Sequence, residues 1–404
     1  MQLSFKKAHA LSSNQKWTLA STSAGFALEN MDVMFLSFAL SSIIQQFHIS
    51  GTTAGLISSI TNLGMLAGGI LFGLLADRLG RVKIFSYTIF IFAFATASMY
   101  FATNIYTLYI LRFIAGIGAG GEYGIGITLL AENFAAKKLG RLSSITAIGG
   151  QIGALLAAIA AAIIIPIWGW QTLFLLGLIP VILIFFIRQN VTESPVFVTN
   201  NSNNPQHIKI SQLFKTRQLA YQTSALIIMV IVQISGYFGL MNWLPTIMQK
   251  QLNLSISGSS LWMITTILGM SLGMLTFGHF LDYFGPRKAF SIFLIAAALG
   301  VFSLSLAFNT LSLLLIGALV GFFSNGMFGG YGAIVSQLYP TEIRATANNF
   351  IVGCGRAIGG FSSVLIGFLL DNYSVLAVML FLSLSYLISL TVMLTIPNLK
   401  KLVN

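Results

Sequence analysis

A polar loop of eleven residues occurs twice in this chain, each copy set between long apolar stretches. Gly73-Leu-Leu-Ala-Asp77-Arg-Leu-Gly80-Arg-Val-Lys83 returns 205 residues later as Gly278-His-Phe-Leu-Asp282-Tyr-Phe-Gly285-Pro-Arg-Lys288. Gly, Asp, Gly and Lys recur in register, which marks the halves as copies of one unit. The surrounding sequence says what kind of unit. Of the 404 residues 56% are hydrophobic and only 7% charged, where a soluble domain carries roughly 25% charged residues. A water-soluble core cannot absorb so much Phe, Leu and Ile, so the chain is predicted to be a polytopic membrane protein.

Apolar stretches fall at 18–44, 53–76, 82–102, 106–130, 142–165 and 171–188, and again at 219–246, 259–281, 288–307, 310–335, 346–370 and 374–396. Each supplies the roughly 20 residues a helix needs to cross a bilayer. The pattern predicts an all-α integral membrane protein with twelve transmembrane helices in two pseudo-symmetric six-helix bundles. Residues 1–188 would form the first bundle, 189–217 a polar cytoplasmic linker rich in Asn and Ser, and 218–404 the second bundle. Parallel repeats of this kind build two-lobed secondary transporters. The first apolar stretch lacks a small-residue cleavage site and reads as a retained helix rather than a signal peptide.

The net charge of +12 does not point to nucleic acid. With both termini cytoplasmic, 18 of the 21 Lys and Arg residues fall in cytoplasmic segments, and Lys250 alone in an outer loop. That asymmetry is the positive-inside signature, and it places the chain as a multi-pass protein of the cell (inner) membrane. The single cysteine, Cys354, excludes an internal disulfide.

Five ionisable residues stand inside the spans: Glu29 and Asp32 in the first, Arg112 and Glu122 in the fourth, Arg356 in the eleventh. Such residues cost about 2.5–3.5 kcal/mol each at a helix centre and usually face a cavity or a partner. Glu29 and Asp32 are three apart and share a helix face. A carboxylate that exchanges an Arg partner as a cavity opens and closes is a workable proton-coupling device. Asp32 with Arg112 is the first candidate pair; the alternative is a static structural pair. Glu122, in Gly118-Ala-Gly-Gly-Glu-Tyr-Gly124, reads equally as a coupling acid or as a group hydrogen-bonded across a close helix contact. Arg356 aligns with Gln151 across the 205-residue offset. A guanidinium in a dry cavity suits bidentate binding of a carboxylate, while permanent pairing inside the protein is the plainer reading.

Gln233, Tyr237, Asn242 and Trp243 precede Pro245 in the seventh span, where a helix can break and offer polar groups; Asn325, Phe328 and Tyr331 in the tenth are weaker candidates for lining a path. The four histidines have no second ligand at metal spacing, and no phosphate loop of Walker type occurs. No metal, no cofactor and no enzymatic chemistry are expected. The charged loop Gly73–Lys83, with Asp77, Arg78 and Arg81, reads as a set of weak, partly hydrated latches between helix ends, and also as a topology anchor.

The loop resembles the signature between helices 2 and 3 of the major facilitator superfamily: Gly73, Asp77, Arg78, Gly80, Arg81 and Lys83 all fit, and the copy around Asp282 is degraded. Ala131–Arg141, Thr192-Glu-Ser-Pro195 and Tyr339–Thr346 are similar to sugar-porter-related and organic-acid branches. Leu28-Glu-Asn-Met-Asp-Val33 and Gly353–Gly360 resemble aromatic-acid and niacin uptake proteins, and Gly120-Gly-Glu-Tyr-Gly124 the sialate, lactate and metabolite symporters. The resemblance implies that Asp32 and Arg112 are the proton-linked pair; Glu29 and Glu122, read from their place inside the spans, join them as candidate coupling groups. It implies substrate contacts at Arg356 and Tyr237, joined by Gln151, Gln233, Asn242, Trp243, Asn325 and Tyr331. Gating would fall to Gly73, Asp77, Arg78, Gly80, Arg81 and Asp282, with Glu132, Arg141, Glu342 and Arg344. The function expected is proton-coupled import of a small organic anion, a carboxylic acid, by a monomer driven by the proton gradient. Drug or metabolite efflux and sugar or osmolyte symport remain alternatives within transport. Outside it stands a non-transporting membrane sensor, for which no long soluble output segment is visible.

Overall fold

The computed structural model describes residues 12–134, 136–193, 210–306, 309–396 and 399, and these form a bundle of helices. The first half contains α1 (Ser13–Phe47), α2 (Gly51–Leu79), α3 (Arg81–Ser98), α4 (Ile105–Asn133) and α5 (Ala136–Trp168). Its sixth crossing is split into α6 (Trp170–Phe174) and α7 (Ile179–Asn190) by a 3₁₀ turn. The second half contains α8 (Arg217–Leu252), α9 (Ile256–Ser303), α10 (Thr310–Gly326), α11 (Phe328–Leu338), α12 (Thr341–Gly359), α13 (Ser362–Asn372) and α14 (Val375–Thr395). The long α9 bends at Gly285 and makes two crossings, and the pairs α10–α11 and α12–α13 are single crossings with a break. All twelve apolar stretches are therefore helical through their described residues.

Small polar residues start these helices by taking up backbone N–H groups that have no partner within the helix. Ser12 closes α1 with a capping box to Gln15. The internal repeat is written into the other caps. Ser50 caps α2 and Ser255 caps α9; Asn104 caps α4 and Asn309 caps α10. Ahead of the first pair, His48 and Asn253 adopt the left-handed conformation, which a non-glycine residue takes at a cost. Every one of these pairs is 205 residues apart.

Gly80 and Gly285 hold the same offset and share φ values of 104° and 76°. Both reverse the chain between two crossings in a backbone region that side chains avoid, which explains why the two loops kept this glycine while their charges diverged. The helix contacts repeat as well. A Cβ on Gly64 would strike the Phe113 carbonyl oxygen, and one on Gly269 the Ala318 carbonyl oxygen. α2 lies against α4, and α9 against α10, through the same small-residue face.

Between the halves, α1 packs on α8, α2 on α13 and α5 on α9. Among the described residues the hydrogen bonds crossing this joint lie at mid-depth or toward the end that carries His48 and Asn253. Ser37 donates to the Met241 carbonyl. Ser59 Oγ donates to Gly360 O at 3.0 Å and Ser257 Oγ to Ala162 O at 2.7 Å. Asn242 Nδ2 reaches Ser58 Oγ at 2.6 Å and Ser363 Oγ at 3.1 Å. The molecule is thus drawn shut at the His48 end, opposite the Gly80 and Gly285 loops.

Pro245 does not break its helix: α8 runs through it to Leu252. The breaks in the second half fall instead around Met327 and around Gly360–Phe361.

Candidate functional site

The three polar residues Glu29, Asn30 and Asp32 occupy one turn near the middle of α1, and the site grows from them. Asp32 is 4% exposed and accepts from Arg112 Nη1 at 2.6 Å and from Thr96 Oγ1 at 3.1 Å. Arg112, only 1% exposed, also lies over the Phe174 ring, 5.1 Å from its centroid. One ion pair therefore ties α1, α3, α4 and α6 together. A charge-assisted contact of this length is among the strong hydrogen bonds, yet Nε and Nη2 of Arg112 have no hydrogen-bond partner among the described residues.

Nearly three turns further along α4, Glu122 reaches the opposite edge of the same α1 face. It is 3% exposed and, among the described residues, neither carboxyl oxygen has a hydrogen-bond partner. Its charged neighbour is Glu29, itself 4% exposed with Oε2 unpartnered. Thr22, Phe26, Phe85 and Thr146 close a small cavity around the two carboxyls.

The second half faces this cluster through α8 and α12. Tyr237 donates its hydroxyl to Asn30 Oδ1 at 3.2 Å. Arg356 sits in the last turn of α12, directly before the break at Gly360, and interacts electrostatically with Glu29 and Tyr237. A cation there complements the carbonyl end of the helix and lies in the field of the other half's acid. Gln151, the partner of Arg356 across the repeat, is buried and donates to Met274 Sδ at 3.9 Å.

Glu29, Asp32, Arg112, Glu122, Tyr237 and Arg356 are thus brought together at mid-depth, in the joint between halves. The other residues singled out for substrate contact are placed differently. Gln233 donates to Ser324 O at 2.8 Å and Trp243 Nε1 to Ser363 O at 3.0 Å, while Asn242 is bound to Ser58 and Ser363. Tyr331 donates to Met229 O at 3.3 Å and stacks edge-on with Phe290, and Asn325 is buried on the same crossing. Asn242 and Trp243 belong to the closed His48 end rather than to the charged cluster.

At the loop end Gly73 faces open space, Arg78 and Asp282 are exposed, and Arg81 is half-buried. The side chains of Asp77, Glu132, Arg141, Glu342 and Arg344 lie outside the described part of the structure. Two carboxylates not assigned a role from sequence do the most visible work at the ends. Glu193 accepts from the backbone N–H groups of Arg81 at 2.9 Å, Val82 at 3.0 Å and Lys83 at 3.4 Å. Asp371, at the end of α13, accepts from Gly51 N and Thr52 N, both at 2.8 Å, and from Thr52 Oγ1 at 3.0 Å. Each carboxylate sits on the positive end of a helix, Glu193 from the start of the linker and Asp371 across the joint. The Thr192-Glu-Ser-Pro195 motif contains the first; no sequence motif marks Asp371.

Comparison with known proteins places this arrangement. The family model of the Major Facilitator Superfamily matches residues 22–271 and 226–402. A Haemophilus influenzae protein named as a metabolite transport protein is 35% identical over 390 residues, 95% of this chain and 96% of that one. The niacin transporter of Acinetobacter baylyi is 26% identical over 85% of this chain and 84% of its own length. The cis,cis-muconate transport protein of the same organism is 27% identical over 89% of both. Among solved structures, the xylose transporter of E. coli, in a partially occluded inward-open form, superposes with a TM-score of 0.79. It covers 96% of this chain and 98% of its own, at 18% identity, which is a likeness of fold.

Proposed function

The chain belongs to the Major Facilitator Superfamily and is a multi-pass membrane transporter, not an enzyme; within that frame we propose that it imports a small organic anion, a carboxylic acid, together with protons. The observation that carries the proposal is the mid-depth joint, where Arg356 from one half comes within electrostatic range of Glu29 from the other, beside Asp32–Arg112 and Glu122. A guanidinium is the group best shaped to bind a carboxylate bidentately in a dry site. Tyr237 supplies a hydroxyl next to it, and Gln151 an amide at the equivalent depth of the first half. Relatives named for niacin and cis,cis-muconate handle carboxylic acids, which supports the substrate class.

The working unit in this reading is a monomer whose lobes, residues 1–188 and 218–404, rock about the site, with the 189–217 linker and both termini cytoplasmic. The His48 end then faces outward, and the form described above is closed to the outside. No cofactor takes part; the proton gradient drives accumulation, with Asp32, Glu29, Arg112 and Glu122 as the coupling groups. Uptake of labelled nicotinate, benzoate and cis,cis-muconate into proteoliposomes under an imposed pH gradient tests it. At least one carboxylate is expected to accumulate with the gradient, and Arg356→Ala to abolish uptake. Accumulation indifferent to the gradient sinks the coupling, and normal uptake by Arg356→Ala sinks the anchor.

A further inference from the structure

The spans hold three acids, Glu29, Asp32 and Glu122, and two guanidinium groups, those of Arg112 and Arg356. Arg112 is taken by Asp32. Arg356 acts electrostatically on Glu29, whose other charged neighbour is Asp32, and on Tyr237. Glu122 is left with Glu29 as its charged neighbour among the described residues, and with two carboxyl oxygens that accept nothing. The α3 and α5 side chains that close the cavity, Phe85 and Thr146, carry no charge. An ionised carboxylate without donors is far costlier to bury than a neutral carboxylic acid. One proton removes the surplus negative charge. The geometry that brings the acids together is specific: a Cβ on Gly25 would collide with Glu122 Oε1, so Gly25 is the slot through which the α4 carboxyl reaches α1.

We propose that Glu29 and Glu122 form one two-carboxyl proton site, which holds a single proton while Arg356 pairs with Glu29 and a second when a substrate carboxylate takes Arg356. A monocarboxylate then moves with one proton and no net charge. This rests on the transport reading above and gives it a stoichiometry. In the empty carrier Glu29 is ionised against Arg356 and Glu122 is neutral. In the loaded carrier the substrate carboxylate occupies Arg356, and Glu29 has bound a proton from the entry side. On release the anion leaves, Glu29 returns its proton to the exit side and recovers Arg356. Both forms are neutral within the cluster, so both can reorient through a low-dielectric joint.

Two measurements decide the matter. Infrared spectra of the lipid-reconstituted protein, without substrate, are expected to show a protonated carboxyl stretch at neutral pH. Glu122→Gln should remove it, Gly25→Ala should shift it, and Glu193→Gln should leave it alone. A spectrum unchanged by Glu122→Gln overturns the site. In proteoliposomes with nicotinate as probe, accumulation should rise about tenfold per pH unit of gradient, the ratio set by one proton per anion. An imposed membrane potential should not change it, and Glu29→Gln should retain nicotinate exchange but lose accumulation. A hundredfold dependence, or accumulation driven by potential or sodium, overturns the stoichiometry. If no carboxylate is carried at all, the transport reading fails while the infrared result still judges the carboxyl pair.

Discussion

At the residue scale the Asp32–Arg112 pair is the most exacting structural commitment, because two charges are held out of water by a single 2.6 Å contact and one hydroxyl. Removing one partner strands the other. Arg112→Met should therefore destabilise the protein by about 3–5 kcal/mol, whereas the double change Asp32→Asn with Arg112→Met should recover most of that loss. Melting of the detergent-solubilised variants measures this, and equal loss in the single and double variants would show that packing over Phe174, not charge, sets the cost. These five ionisable residues were legible in the sequence because a charge in an apolar stretch is conspicuous. Their partners were only partly so. Asp32 and Arg112 were matched by depth, but the meeting of Glu122 with Glu29 depends on the missing side chain of Gly25, which no local pattern announces. Asn242 and Trp243 looked like path-lining groups because polar and aromatic residues precede Pro245. The structure spends them on Ser58 and Ser363 instead.

At the scale of single elements, α3 shows how a helix can be held from a distance. It begins at Gly80 without a side-chain cap of its own, and Glu193 takes up three of its first N–H groups. Replacing Glu193 with Ala leaves them without this acceptor, and costs about 1–2 kcal/mol, the scale of a lost cap plus a charge at a helix start. Hydrogen exchange at Arg81, Val82 and Lys83 is expected to accelerate, with the outer half of α3 unaffected; unchanged exchange would mean the contact is incidental. Gly80→Ala should act on the same place twice, straining a φ of 104° and pushing Glu193 away. The twelve crossings themselves were legible because hydrophobic length is a direct physical requirement. Their ends were less so. Helices such as α1 and α8 extend well past the apolar stretches, since polar caps and amphipathic final turns carry the helix beyond the hydrocarbon. The breaks at Met327 and Gly360 fall beside the clusters Ser324-Asn-Gly326 and Gly359-Gly-Phe-Ser362, rich in small and polar residues that equally serve helix packing, and the proline that suggested a break is accommodated within α8.

At the scale of the whole molecule, the two halves need contacts that hold one end shut yet yield once per cycle. The His48 end has them in graded form. Serine and asparagine side chains link Ser58, Asn242 and Ser363, and Ser59 to Gly360, each a neutral hydrogen bond worth about 0.5–1.5 kcal/mol net. Asp371 adds the one charged contact among them, docking on the start of α2 through Gly51 and Thr52. Because the carboxylate lies on one half and the helix start on the other, opening this end must separate them. Asp371→Ala removes that restraint without touching the charged cluster at mid-depth, so it is expected to favour the form open at this end. A cysteine placed at Ser58, buried against Asn242 in the closed form, reports the shift in a Cys354→Ser background. Its labelling by a membrane-impermeant thiol reagent should quicken severalfold when Asp371→Ala is added, whereas Glu193→Ala, at the opposite end, should not quicken it. Equal labelling with and without Asp371 would place the restraint in the serine and asparagine contacts alone, and the charge on α13 would then serve only to finish α2.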